Sequence, residues 1–350
     1  MKLSREELKS LMKNKMMKAG LSDEHADMTA EILTWSDERG YHSHGAVRVE
    51  YYSERIAKGG ITADPKFEWE ETGPCSAIFE GDNGCGYVAA TIAMEKAIEM
   101  AKKTGIAVVG VRNISHSGAI GYYTEMAAKN DLAAISFCQS DPMAVPYGGT
   151  EPYYGTNPIS FAAPTADDRL VVFDMATTVQ AWGKILDKRS RGENIPDTWA
   201  VDAKGAPVTN PNLVNALVPI AGAKGYGLMM MVDIFSGVLL GVPFGKHVSS
   251  MYHDLSEGRN LGHMHIVIDP ARFVGLEAFK KSMSQVCDEL GEMTPAEGHD
   301  KVYYPGERAV LRRDQAYATG GVEIVDNIYE YLKSEDIHFN RYDHKNRFAD

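Results

Sequence analysis

The chain has 350 residues, 44% of them hydrophobic and 24% charged, which suffices for a large core and for division into about two domains. Its 36 Lys and Arg against 48 Asp and Glu leave a net charge of −12, which repels a phosphate backbone or an anionic bilayer and argues against nucleic acid or membrane as a partner. The four cysteines, Cys75, Cys85, Cys138 and Cys287, include no C-x-x-C pair and no dense framework, so neither a zinc ribbon nor a disulfide scaffold is expected and reduced thiols in a cytosol fit best.

The N-terminal tract MKLSREELKSLMKNKMMKAG lacks the continuous apolar run of a signal peptide and instead sets Leu8, Leu11, Met12, Met16 and Ala19 on one helical face. Ser4 and Glu7 form a capping box and Gly20 closes this helix; Ser22 caps a second one that Gly40 closes. After the loop YHSHG, the pattern AVRVEYYSERIAKGG predicts a third helix ending at Gly59 and Gly60. A helical region, 1–70, thus precedes a mixed domain, 71–245, and segments in 246–350 are expected to complete both. Strands are predicted at AIFEG, IAVVGV, AAISFCQ, PISFAAP, RLVVFDMA and WAVD, with helices over 87–103 and 118–129. Strands joined by short turns favour an α/β chain of mixed α+β character, with a partly antiparallel sheet flanked by helices. The apolar tract GLMMMVDIFSGVLLGVPFG is broken by Asp233, Gly237 and Pro243, so it predicts a buried helix over about 224–240 rather than a membrane span. The strand HMHIVIDP, a helix over 276–290 and the acidic helix VEIVDNIYEYLKS follow.

Four tracts carry candidate chemistry. NGCGYVAA, at 83–90, presents Gly84-x-Gly86-x-x-Ala89 between a strand and a helix, the outline of a dinucleotide-binding turn. The acidic residue such a turn requires after the next strand is replaced by Arg112-Asn113, so the glycines are read as a tight structural turn. In DERGYHSHGAVRVEYYSERIAKGG, a helix starting near Ser43 aligns His44, Arg48 and Tyr52 four residues apart, a face suited to a small acid with Arg48 holding its carboxylate in a two-pronged grip. As metal ligands His42 and His44 lack a third partner at a recognisable spacing, and no metal is expected. In VRNISHSGAIGYY, His116 stands between a strand and a helix among small residues, where a neutral imidazole can serve as a general base. In AGAKGYGLMMMVD, Lys224 lies on a glycine-rich approach to a helix, a place for a pyrophosphate.

Taken together, RGYHSHGAVRVEYY, NISHSGAIGYY, YYGTNPISFAAP, DMATT, KGYGLMMMVD and GRNLGHMHIVIDP span nearly the whole chain, and their order resembles the second type of malate/L-lactate dehydrogenase, the sulfolactate dehydrogenase-like family. The resemblance implies oxidation of a small 2-hydroxy acid with NAD, a fold without a Rossmann domain, and a homodimer or higher homo-oligomer with sites near the interface. It implies a cofactor held near Ser140, Asp174, Met175, Ala176 and Lys224, with Gly306, Glu307 and Arg308 closing over it. By the same resemblance His116 is the catalytic base and Arg48 the carboxylate clamp, with Tyr52 and His44 as hydrogen-bonding supports; His44, in the SHG motif, competes for the role of acid/base. The tracts SDPMAVPYGG, MATTVQAWGKILD, NIPDTWAVD and VSSMYHDLSEGRNLG narrow it to a substrate bearing a ureido group, with Arg259 reaching the ureido end or the carboxylate. Malate, lactate or a sugar acid stays open, since one guanidinium recognises any carboxylate. The rival from another class is a metal-dependent amidohydrolase using His42, His44 and His116.

Overall fold

The structure, a computed structural model, describes residues 1–337, so the tail of the expected C-terminal segment, 338–350, lies outside the described residues. A short strand β1 (Lys2–Leu3) leads into α1 (Arg5–Ala19), whose cap is the predicted one: Ser4 Oγ accepts from the Glu7 N–H at 3.1 Å. Leu8, Met12 and Met16 on its predicted apolar face are completely buried. Ser22 likewise caps α2 (Asp23–Glu38), accepting from the His25 N–H at 3.2 Å.

The third helix departs from expectation. Residues His42–His44 and Ala46–Arg48 form two single 3₁₀ turns, and α3 is only Val49–Ala57. Gly45 separates the turns because a Cβ there would overlap the Asp37 carboxylate, which accepts from the Ala46 N–H at 2.6 Å and faces His42 Nδ1 at 2.9 Å. A buried carboxylate from the preceding helix thus takes the Ala46 N–H between the two turns, while His44, Gly45 and Arg48 donate to backbone carbonyls three residues back.

The core of the molecule is a seven-stranded sheet. In chain order its strands are β2 (Glu68–Gly73), β3 (Ser76–Gly84), β4 (Ile106–Ile114), β5 (Ala133–Cys138), β6 (Ile159–Pro164), β7 (Leu170–Met175) and, after two further strands, β10 (Leu261–Ile268). Their spatial order is β2-β3-β4-β10-β5-β6-β7, and β3–β4 is the one parallel pair among the described strands of this sheet. The mixed, partly antiparallel sheet expected from the short connections is therefore present. Helices α4 (Gly86–Thr104) and α5 (Gly121–Lys129) cover one face, where Val109, Val111, Ala134 and Val267 join a core shared with the N-terminal helices. On the other face α7 (Ala223–Ser236) packs Val232 against Phe137, Leu240 and Met264.

Elements missed or shortened lie mostly outside the sheet. The expected strand WAVD contracts to β8 (Ala200–Val201), paired with β9 (Ala216–Leu217), and helix α6 (Trp182–Ser190) packs beside it on a separate cluster with Tyr154 and Met229. Helix α8 (Leu276–Glu292) stands where expected, whereas α9 (Glu307–Ala318) was not expected. The acidic C-terminal helix is split: β11 (Val322–Glu323) pairs with β1 and only α10 (Asp326–Lys333) is helical. Helix α7, expected buried, is so on one side only; Leu228, Met230 and Ile234 are 38–42% exposed, and Leu239 beyond it is 60% exposed. It is also, among the described residues, the one segment apolar and long enough to cross a membrane, as Ala223–Leu240.

Register gathers the candidate residues at one end of the sheet. Gly84 pairs with Ile114, Ile114 with Leu261, Phe137 with Ile159 and Ile159 with Met175, so the loop after β4, the segment before β10 and the ends of β5 and β7 all open on the same side. Gly86 at the start of α4 is fixed there: its N–H donates to Ser115 Oγ at 2.9 Å, and a Cβ would overlap the carbonyl oxygen of Ser115. Gly86→Ala is accordingly expected to lower the unfolding free energy by about 1–3 kcal/mol through overpacking against backbone that cannot yield, a loss to be read from the midpoint of urea denaturation.

Candidate active site

The loop from β4 to α5 carries His116. Its start is tied down by the Ser115 N–H donating to Gly84 O at 3.0 Å, and its end by the Asp174 carboxylate, which accepts from the Gly121 N–H at 2.7 Å. His116 lies between these anchors, half-buried, with Nδ1 2.5 Å from the Tyr52 hydroxyl. Its ring stacks on that of His44 at 5.8 Å between centroids and 21° between planes. His44 Nδ1 is 3.0 Å from Ser43 Oγ, and Arg48 donates from Nε to Ser43 O at 2.7 Å and from Nη1 to the Tyr252 hydroxyl at 2.7 Å. The stripe His44, Arg48, Tyr52 is thus brought together with His116 even though a single helix does not build it.

Burial lowers the pKa of both imidazoles, and the Arg48 guanidinium adds to the effect; His44 falls to about 3, and His116 is held well below its ordinary value with smaller contributions from His44 and Arg259. Both rings are therefore neutral at physiological pH, able to accept a proton. Tyr52 is completely buried and its hydroxyl is engaged by His116 and by Tyr87 at 3.1 Å, so it supports the imidazole and does not face the open side. Arg259 is held from within the protein. Its guanidinium is buried, with Nη2 donating to Asp141 Oδ1 at 3.3 Å and Ser249 O at 2.8 Å, and Nε to Ser249 Oγ at 3.1 Å, which makes it a brace between the 249–259 segment and the end of β5. His42 is turned onto Asp37, and among the described residues no group of three His, Cys, Asp or Glu is placed to hold a metal ion.

A cavity of about 520 Å³ lies beside β7, lined by Asp174 and Gly306 together with Trp35, Tyr41, Tyr304 and Arg313. Burial raises the Asp174 carboxyl to about 6, against which the backbone N–H donors of Gly121 and Ile120 act. The lining also takes in Glu125, Asp167, Asp168 and Arg169, so charge as well as aromatic surface faces the cavity. Met175 and Ala176 continue from Asp174 to Thr177, whose N–H donates to Thr156 O at 2.8 Å, and the Thr156 N–H donates in turn to Ser140 Oγ at 2.7 Å. Thr177 O accepts from the Ile220 N–H at 2.9 Å, four residues before Lys224, which is exposed on the first turn of α7. Ser140 and Lys224 lie outside the lining of the cavity but adjoin the same strand ends. Of the predicted closing segment, Gly306 borders the cavity, while Glu307 pairs with Lys301 and Arg308 lies 4.4 Å from the centre of the Tyr303 ring.

Sequence reading missed Tyr87, Tyr252, Trp35 and Arg313. Tyr87 was in plain view within NGCGYVAA, and Tyr252 within the tract ending GRNLG; nothing local marks Trp35 or Arg313, which are brought to the cavity by the packing of α2 with α9.

At this end of the sheet a neutral imidazole stands beside a guanidinium, while the lining of the cavity, which runs along the edge strand β7 from Asp167 to Asp174, includes neither group. The sequence pattern of the malate/L-lactate dehydrogenase family matches residues 3–333. The chain is 58% identical over 349 residues, all of both chains, to the ureidoglycolate dehydrogenase (NAD(+)) of Escherichia coli O157:H7. It is 36% identical to the malate dehydrogenase of Pyrococcus horikoshii, over 95% of this chain and 93% of that one. Its fold superimposes on the sulfolactate dehydrogenase of Methanocaldococcus jannaschii with a TM-score of 0.89 at 34% identity, covering 96% of each. The chain belongs to the malate/L-lactate dehydrogenase family.

The depressed imidazole pKa values set a pH dependence of stability. As pH falls below about 6.5 the unfolded chain takes up protons that the folded His44 refuses until about 3, so stability declines across that window. Asp174 acts in the opposite sense between 3.8 and about 6, because the folded state keeps a proton that the unfolded state releases. Replacing His44 by Gln should flatten the decline between pH 6.5 and 5 in guanidinium denaturation; an unchanged slope would mean that solvent reaches the ring.

Proposed function

We propose that this protein oxidises ureidoglycolate to oxalurate with NAD, a step of allantoin catabolism, using His116 as the base and Arg48 as the carboxylate clamp. The observation that carries the reading is the neutral His116 imidazole set beside the Arg48 guanidinium at the mouth of the sheet; the choice among 2-hydroxy acids rests on the end-to-end likeness to the Escherichia coli enzyme. The alternatives within the family, malate, lactate or a sugar acid, would use the same two groups.

The substrate carboxylate meets Arg48, whose position between Ser43 O and the Tyr252 hydroxyl fixes its fork. His116, with Nδ1 turned to Tyr52, presents Nε2 to the substrate hydroxyl and takes its proton. His44, stacked alongside, supports the hydroxyl from the other ring. The chemistry NAD supplies when bound is acceptance of a hydride from the carbinol carbon. Asp174, Met175, Ala176, Ser140 and Lys224 would hold it, with Gly306, Glu307 and Arg308 at the rim. The glycines of NGCGYVAA are left out of cofactor binding, a reading supported by the Gly86 N–H already serving Ser115. Supporting a cytosolic homodimer, or a higher homo-oligomer, are four unpaired cysteines and the exposed apolar face of α7, contiguous with Lys224.

With NAD as acceptor, kcat/KM for ureidoglycolate is expected to exceed that for malate or lactate by about tenfold or more; equal values would overturn the substrate assignment. Arg48→Ala should lower kcat/KM by about 10- to 100-fold, the equivalent of about 1.5–3 kcal/mol for a hydrogen bond to a charged group, and Arg48→Lys should recover only part. Ile234→Glu on the exposed face of α7 should convert the oligomer to a monomer in light scattering, whereas an unchanged mass would place the interface elsewhere.

A further inference from the structure

The tract NGCGYVAA, though not a phosphate cradle, supplies a side chain to the site. Tyr87 stands on the first turn of α4, completely buried, with its hydroxyl 3.1 Å from that of Tyr52, which is itself 2.5 Å from His116 Nδ1. The two phenol rings are perpendicular at 5.3 Å, and the Tyr52 and His116 rings are near-parallel at 6.2 Å. The chain of three is held from outside as well. Gly118, two residues beyond His116, adopts φ +73°, and a Cβ there would overlap the Tyr87 ring, so the His116 loop lies flat on this tyrosine.

We propose that Tyr87, acting through Tyr52, is the positioning residue that decides which nitrogen of His116 carries the proton. The inference rests on the reading of His116 as the base. A base at Nε2 needs its proton on Nδ1, and the group facing Nδ1 is a phenol, which can either accept or donate. When Tyr52 donates to Nδ1, Nε2 bears the hydrogen and cannot take a proton from the substrate. When Tyr52 donates to the Tyr87 oxygen, its own oxygen accepts from Nδ1–H and Nε2 is bare. Tyr87 favours the second arrangement by giving the Tyr52 proton somewhere to go. Burial raises the pKa of both phenols, so each keeps its single proton and the relay moves hydrogens without ever holding a phenolate.

Tyr87→Phe removes the acceptor, and the Tyr52 hydroxyl then turns to Nδ1. Expected are a fall in kcat of about tenfold or more, with KM for ureidoglycolate and for NAD within about twofold, and a shift of the acid limb of kcat/KM to lower pH because a second neutral tautomer competes with the imidazolium. The double variant Tyr52→Phe/Tyr87→Phe should turn over faster than Tyr87→Phe alone, since no hydroxyl remains to donate to Nδ1. A merely structural role predicts that the double variant is as slow or slower. Nitrogen-15 spectra of histidine-labelled protein, with the His116 signal identified by its loss in His116→Gln, should give an Nδ1–H imidazole in the wild type and an Nε2–H imidazole in Tyr87→Phe. Wild-type kcat in Tyr87→Phe, a double variant slower than the single, or an Nε2–H tautomer in the wild type would each overturn the proposal, the last without requiring any variant to fold. Failure of the underlying reading looks different: His116→Gln would keep the wild-type rate while the tautomer still responded to Tyr87.

Discussion

Backbone pairing of β10 with β4 on one side and β5 on the other is the constraint on which the rest of the molecule depends. Without it there are two separate pieces, the β2-β3-β4 unit with its single parallel crossover and the β5-β6-β7 meander. With it there is one sheet with one functional end. The register matters as much as the pairing, because side chains alternate faces with a period of two. In the observed register His263 and His265 point into the α4 face, where their Nδ1 atoms meet Ser117 and Ser136, while Met264 points to α7. Ser117 follows His116, so the central strand also sets the height of the loop that bears the candidate base.

The electrostatics of the site run against those of the whole chain. A net charge of −12 disfavours an anion at long range, yet at the site the nearest charges are Arg48 and the buried Arg259, and both lower the proton affinity of His116. At physiological ionic strength the general field is screened within about 8 Å, so what an approaching carboxylate meets is the local cation. Burial, with the guanidinium adding to it, keeps the neighbouring imidazoles neutral.

What could be read in advance was whatever depends on near neighbours in sequence. Ser4 and Ser22 announced their helices because a cap acts on a residue three positions away, and the sheet strands were legible as short apolar runs between turns. The candidate groups His44, His116 and Arg48 stood out by residue type. What could not be read depends on distant packing. Nothing within YHSHGAVR tells that Asp37 will occupy the space beside Gly45 and break the helix into turns. The arginine of GRNLG is evident in sequence, while the partners Asp141 and Ser249 that hold it are not. Tyr87 went unnoticed for the opposite reason: its surroundings suggested a familiar turn, in which it fills one of the three variable positions. In α7, apolar character was judged correctly and its direction was not, since composition does not say whether an apolar face meets its own core or another surface.

The order of strands also bears on how the polypeptide is made. A ribosome releases β2 to β7 well before β10, so for the time it takes to translate the stretch from Met175 to Ile268 the two halves of the sheet have unpaired inner edges, with β4 and β5 each lacking the partner that will join them. Closure comes later still. Met1 N donates to Ile324 O at 2.8 Å, and β1 pairs with β11, so the segment before α1 finds its place only after β11 has emerged. Until β10 is in place the nascent chain presents the inner edges of β4 and β5 as open templates for pairing with other chains, a hazard of which the finished enzyme, with its central strand in place, gives no hint.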